Sequence, residues 1–178
     1  MILRIFGFLL LMLSSAVAAD WTIDYENSKL EFEGTQTGTT FEGSFRTFNA
    51  TVKFDAEDLE SVFIDVAIDT ASARSGNPER DSILPGTDWF DTANHPTAHF
   101  TSTNVVYIAN GYTAIGTLTM KGVSKEIDLP FNLRETGGVT EVVGGVSIDR
   151  NDFGIGTGPL GPMVGNDVTI TFHLTATP

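Results

Sequence analysis

From Trp21 onward the apolar residues of this chain recur at every second position, and that alternation excludes most folds. Leu30 and Phe32 alternate with Glu31 and Glu33, and Val62, Ile64, Val66 and Ile68 alternate with Phe63, Asp65, Ala67 and Asp69. The pattern returns in Tyr112, Ala114, Gly116, Leu118 and Met120, in Ile127, Leu129, Phe131 and Leu133, in Val142, Gly144, Val146 and Ile148, and in Val168, Ile170, Phe172 and Leu174. A period of two places alternate side chains on opposite faces of a strand. Each run therefore has one face to bury and one to leave in water, which a sandwich or a closed barrel satisfies. Turn residues fall between the runs at Glu26-Asn27-Ser28, Ala109-Asn110-Gly111, Lys121-Gly122 and Thr136-Gly137-Gly138. Their spacing suits antiparallel hairpins, so the class is all-β and antiparallel. Alternation by itself does not separate sandwich from barrel.

Gly43, Ala50, Ala114, Gly116 and Gly144 lie on the apolar faces, where a filled core favours larger side chains. Two readings follow. The small residues leave room inside for a ligand, as an eight-stranded barrel can, or they mark bends and bulges, which is the simpler reading.

Residues 1–19 differ from the rest. A basic Arg4, an apolar run from Ile5 to Leu13 and small residues ending in Ala18-Ala19 form a secretory signal peptide, cut near Ala18 or Ala19. The run is shorter than the ~20 residues a membrane span requires. Residues 20–178 are then one exported domain, periplasmic or secreted. At 41% hydrophobic and 10% aromatic residues, that length supports one substantial core. Losing Arg4 takes the net charge from −13 to −14, which disfavours nucleic acid and anionic lipid surfaces as partners. Cysteine is absent, so neither disulfides nor thiol chemistry are available.

One segment interrupts the strands. Asn77-Pro78 is a cap followed by proline at the first helical position, Glu79 to Leu84 supplies a turn or two of helix, and Pro85-Gly86 stops it. A second turn from Thr87 would present Trp89 and Phe90 as a lid. Arg80-Asp81 reads as an ion-paired latch to the rim. The segment also holds His95 and His99 at the i, i+4 spacing of zinc-binding helices, but Pro96 breaks any helix there and His99 already sits in a strand. A hydrolase triad could be drawn from Ser82, Asp81 or Asp88, and His95 or His99, with no nucleophile motif to support it. Gly156-Thr157-Gly158-Pro159-Leu160-Gly161 matches a dinucleotide fingerprint in letters only, because Pro159, Pro162 and Gly165 preclude the helix that would meet a pyrophosphate.

Several stretches, taken in order, resemble the YceI-like family of exported lipid and polyisoprenoid binders. They are Phe41-Glu42-Gly43-Ser44-Phe45 leading to Val52-Lys53-Phe54-Asp55, Arg80-Asp81 with Leu84, Asp88-Trp89-Phe90, Pro96 with Ala98, Phe100 and Ser102, Gly116-Thr117-Leu118-Thr119 with Gly122-Val123, and Asp149-Arg150 with Phe153-Gly154. The resemblance implies an eight-stranded antiparallel, lipocalin-like barrel with a short helical insertion and an elongated apolar cavity. It also implies a long-chain lipid partner such as an isoprenoid, and a companion role beside membrane b-type cytochromes; a homodimer is compatible with it. The chain departs from the family at Ile83, where a histidine is common, and at His95, where an aromatic is usual.

On this basis the chain is expected to be a non-catalytic binder with no cofactor and no metal. Its expected cavity wall is Phe32, Phe41, Phe45, Ile64, Val66, Ile68, Phe100, Leu118, Met120, Val146 and Phe172, with Trp89 and Phe90 closing the mouth and Arg80 near a polar headgroup. The alternatives are a partner-binding sandwich or barrel with no ligand, and a hydrolase or metalloenzyme using His95 and His99.

Overall fold

A computed structural model describes residues 19–178; the signal-peptide expectation lies outside the described residues. Ten strand segments follow one another: β1 (Ala19–Gln36), β2 (Thr39–Phe45), β3 (Phe48–Phe54), β4 (Phe63–Asp69), β5 (Ala73–Arg74), β6 (Thr97–Ile108), β7 (Gly111–Met120), β8 (Val123–Thr136), β9 (Val139–Asp149) and β10 (Asp167–Thr177). One short helix, α1 (Pro78–Ile83), stands between β5 and β6. No helix among the described residues is long and apolar enough to cross a membrane.

All pairings between these strands are antiparallel, and β10 pairs with β1, so the sheet closes on itself. The ten segments make eight staves, because β2 and β3 run one after the other along β1. Opposite them, β5 pairs with β2 and β4 with β3. The breaks in these two staves are pinned by polar groups. Asp69 accepts from the backbone amide of Ala71, while the Ser72 hydroxyl donates to Asp69 O (2.6 Å) and accepts from the amide of Thr47 (3.1 Å). Buried Thr70 donates its hydroxyl towards the carbonyls of His95 and Pro96.

Glu26-Asn27-Ser28 is not a turn between strands. It is a bulge inside β1, where the register with β10 shifts between Asp24 and Lys29. Asp24 caps it, accepting from the amides of Glu26 and Asn27. Acidic and amide side chains that bond their own backbone favour a bulge as readily as a turn, and the strand continues only because β10 is there to pair with it.

The alternation read from the sequence sorts inside from outside. Along β7, Ala114, Leu118 and Met120 are buried. Yet Ile64, Val66, Ile68, Ile127, Leu129, Val146, Phe172 and Leu174 remain only partly buried while lining a single internal cavity. Sheets packed face to face would have covered these side chains; a closed barrel leaves its axis open.

The glycines on the inner faces do not create that space. A Cβ on Gly116 would lie 2.7 Å from the ring of Phe100, and Gly43 and Gly144 are likewise covered by the rings of Phe32 and Phe172. Phe32 and Phe172 come from the residue directly across the strand pair. Each glycine is a slot in which a neighbouring phenylalanine lies against the wall.

Candidate functional site

The barrel interior holds two lobes that share Ile170. The lower lobe has about 1000 Å³ of space not filled by atoms, open solvent at its ends included, and its lining is hydrocarbon and aromatic throughout. The upper lobe, about 780 Å³ on the same measure, lies beneath the inserted segment and contains the only polar lining groups of the two, Gln36, Arg80 and Arg150. In the wall of the upper lobe Phe32 and Phe45 meet with centroids 5.2 Å apart, and Phe45 makes an edge contact with Phe90 at 5.7 Å.

The cover over the upper lobe is built from local signals. Asn77 Oδ1 accepts from the amides of Glu79 and Arg80, and Pro78 opens α1. Asp81 accepts from the Ser75 amide and hydroxyl, both at 2.7 Å; the Ser75 hydroxyl first and its amide second hold this carboxyl below the usual carboxylate range. After α1 the chain makes turns rather than the second helical turn expected from Thr87, with the Trp89 and Asp91 amides donating to Gly86 O and the Phe90 amide to Leu84 O. Those turns still point Trp89 and Phe90 into the upper lobe.

The cover is fastened to the rim at several points. Arg80 donates Nε and Nη2 to Gln36 Oε1 (3.2 and 3.0 Å) and lays its guanidinium 3.9 Å above the Phe41 ring. It is thus a latch, but through an amide and a ring, and not through the expected ion pair. Asp88 O accepts from the amides of Gly156 and Thr157, joining the cover to the loop 154–166. On the far side the ring of His95 lies against Gly122, in the turn between β7 and β8.

That loop is organised by Arg150, which the sequence reading did not single out as a site residue. The side chain is 5% exposed, and its guanidinium donates to five carbonyls: Gly165 from Nε, Ile155 and Gly156 from Nη1, Gly161 and Val164 from Nη2. Five donors in a rigid fork meet five acceptors, so the buried cation is held by oriented backbone dipoles. Of the glycines in the letters resembling a nucleotide fingerprint, Gly156 and Gly161 therefore turn their carbonyls to an arginine, while Gly158 lies against Asp88. At Gly156, φ is +76° and a Cβ would strike the Arg150 guanidinium.

Every residue expected on the cavity wall lines one of the lobes. Phe32, Phe41, Phe45, Arg80, Trp89, Phe90 and Met120 line the upper one, and Ile64, Val66, Ile68, Phe100, Leu118, Val146 and Phe172 the lower. The alternation also marked, without their being chosen, Leu30, Ile127, Leu129, Ile170 and Leu174. Ile83, the family departure, adds hydrocarbon to the upper lobe.

The residues of the alternative readings are not assembled. Ser82 donates to Glu79 O, Asp81 is engaged by Ser75, and His99 bonds Asp65 at 2.9 Å on the outer face, where Thr101 also donates to Asp65. His95 sits 3.9 Å from Asp91. Among the described residues no group of three ligating side chains could hold a metal ion.

Comparison with known proteins agrees with this geometry. The model of the YceI-like domain matches residues 21–176. The chain belongs to the YceI-like family. A curated relative, the UPF0312 protein YE1254 of Yersinia enterocolitica, is 35% identical over 134 residues, covering 74% of this chain and 70% of that one. The crystal structure of Burkholderia cenocepacia BcnA superposes with a TM-score of 0.83 at 32% identity, covering 88% of this chain and all of that one. A polyisoprenoid binding domain from Saccharophagus degradans, implicated in plant cell wall breakdown, superposes with a TM-score of 0.69, covering 91% and 99% of the two chains. At 17% identity the last likeness is one of fold, and it places this YceI-like chain among closed lipocalin-like barrels.

Proposed function

We propose that this chain binds one long apolar molecule in its barrel, a polyisoprenoid, isoprenoid quinone or fatty acyl chain, and carries or stores it without chemical change after export. The observation that supports this best is the division of the interior: a lower lobe with no polar side chain in its lining, and an upper lobe whose only charged lining groups are two cations, in a chain of net charge −13. An amphiphile fits with its tail down and its polar end under the cover beside Arg80. Burial alone supplies the affinity at about 0.8 kcal/mol per methylene, so a chain of ten methylenes gains about 8 kcal/mol before ordering costs. The polyisoprenoid-binding description of the Saccharophagus degradans neighbour supports the same ligand class.

The test is organic extraction of the natively purified protein followed by mass spectrometry. A stoichiometric apolar molecule is expected. Failure to recover one, together with failure of the emptied protein to take up a fluorescent fatty acid, would refute the proposal. The variant His99→Ala, on the outer face, should bind as the natural chain does.

A further inference from the structure

The lower lobe ends on a floor one side chain thick. Trp21, Phe54 and Leu133 line the lobe, and the same three side chains line another cavity at the opposite end of the barrel from the cover, about 870 Å³ of empty space with open solvent included. Phe54 is held firmly from the side, being buried and in contact with Tyr112 (5.1 Å) and Phe131 (6.3 Å). Trp21 and Leu133 are only partly buried. Trp21 meets Phe54 edge-on at 5.4 Å and lies at the last of the three residue pairs that join β1 to β3. The outer cavity is bounded by Asp55, Glu135, Thr140 and the terminal Pro178. Its carboxylates repel an anionic headgroup, so what reaches the floor from inside is a tail.

We infer that Trp21 and Leu133, braced by Phe54, form a stop that sets the length of hydrocarbon the barrel accepts. This rests on the lower lobe being the tail site. Where tail and stop meet, further methylenes have no apolar surface to bury against; with the stop removed, they pass into the outer cavity beneath the barrel.

The experiment measures affinity of the delipidated protein for straight-chain saturated fatty acids of increasing length, by displacement of a fluorescent fatty acid. In the natural chain affinity should rise about fourfold per methylene, equivalent to about 0.8 kcal/mol each, and then level off. In Trp21→Ala, and independently in Leu133→Ala, the levelling point should move by about two methylenes or more to longer chains, the rise before it being unchanged. Leu133→Phe should move it to shorter chains. Because Trp21 and Leu133 stand on different strands, Leu133→Ala reads the stop even where loss of the Trp21 ring weakens the fold. The inference is overturned by a levelling point that stays in place in folded Leu133→Ala and Leu133→Phe proteins. A natural chain that binds no fatty acid of any length, and that also yields no apolar molecule on organic extraction, would instead refute the binding role itself.

Discussion

Replacing Arg150 with methionine should loosen the wall of the upper lobe more than any other single change of a polar residue. The side chain is buried and makes five hydrogen bonds, at 2.6, 2.9, 2.9, 2.9 and 3.2 Å, to carbonyls spread from Ile155 to Gly165. A bond to a charged donor contributes about 1.5–3 kcal/mol, but water and loop relaxation recover part of the loss, so removing such a buried network costs about 3–5 kcal/mol in practice. For a domain of this size that lowers the melting temperature by about 6–20 °C. Lysine preserves the charge but concentrates its donors at one point. It cannot reach the Gly165, Ile155 and Gly161 carbonyls together, so Arg150→Lys should suffer most of the same loss. The measurement is urea denaturation with the slope compared between variants, alongside limited proteolysis, which should cut newly within 154–166. An Arg150→Met protein within about 1 kcal/mol of the natural chain, and no new cleavage in that loop, would show that the backbone holds its course without the guanidinium.

Three further outcomes follow from contacts already described. Gly43→Ala places a methyl group against the Phe32 ring and 2.7 Å from Arg74 O; overpacking of this kind costs about 1–3 kcal/mol, and thermal denaturation together with weaker fatty-acid uptake should report a narrowed upper lobe. Trp89→Ala removes a buried aromatic from the cover, should cost about 3–5 kcal/mol, and should speed ligand release in a stopped-flow chase. The carboxyl of Asp81 titrates lower in the folded chain than in the unfolded one. Its stabilisation of the segment from Ser75 through α1 is therefore complete above about pH 4 and fades as the pH falls through the depressed value. Hydrogen exchange in α1 should rise on acidification, and Asp81→Asn should show the raised exchange already at pH 7.

Much of the site was legible in the chain because each strand carries its own inside and outside. Choosing every second apolar residue placed Ile64, Val66 and Ile68 on the cavity wall, and Asn77-Pro78 announced α1 before any partner was known. Arg150 was marked only as part of a family stretch, and its role stayed hidden for a physical reason. Its five acceptors are backbone carbonyls, which no residue type advertises, and it is a turn of glycine-rich backbone that aims them. The expected ion pair at Arg80 failed similarly: Asp81 adjoins it in sequence, but Asp81 turns to Ser75 while Arg80 reaches Gln36, 44 residues away.

The sequence by itself determined the all-β class, the face of each strand, the capped helix of the insertion and the family. Alternation and capping are local, written within a few residues, and need no knowledge of what lies opposite. Only the tertiary structure decided that the strands close, since closure depends on pairs such as Leu30 with Phe172, at opposite ends of the chain. It also decided that the inner glycines seat phenylalanine rings and that the hollow ends on Trp21, Phe54 and Leu133. Space inside a barrel is what remains after every stave has taken its register, and no single segment encodes it.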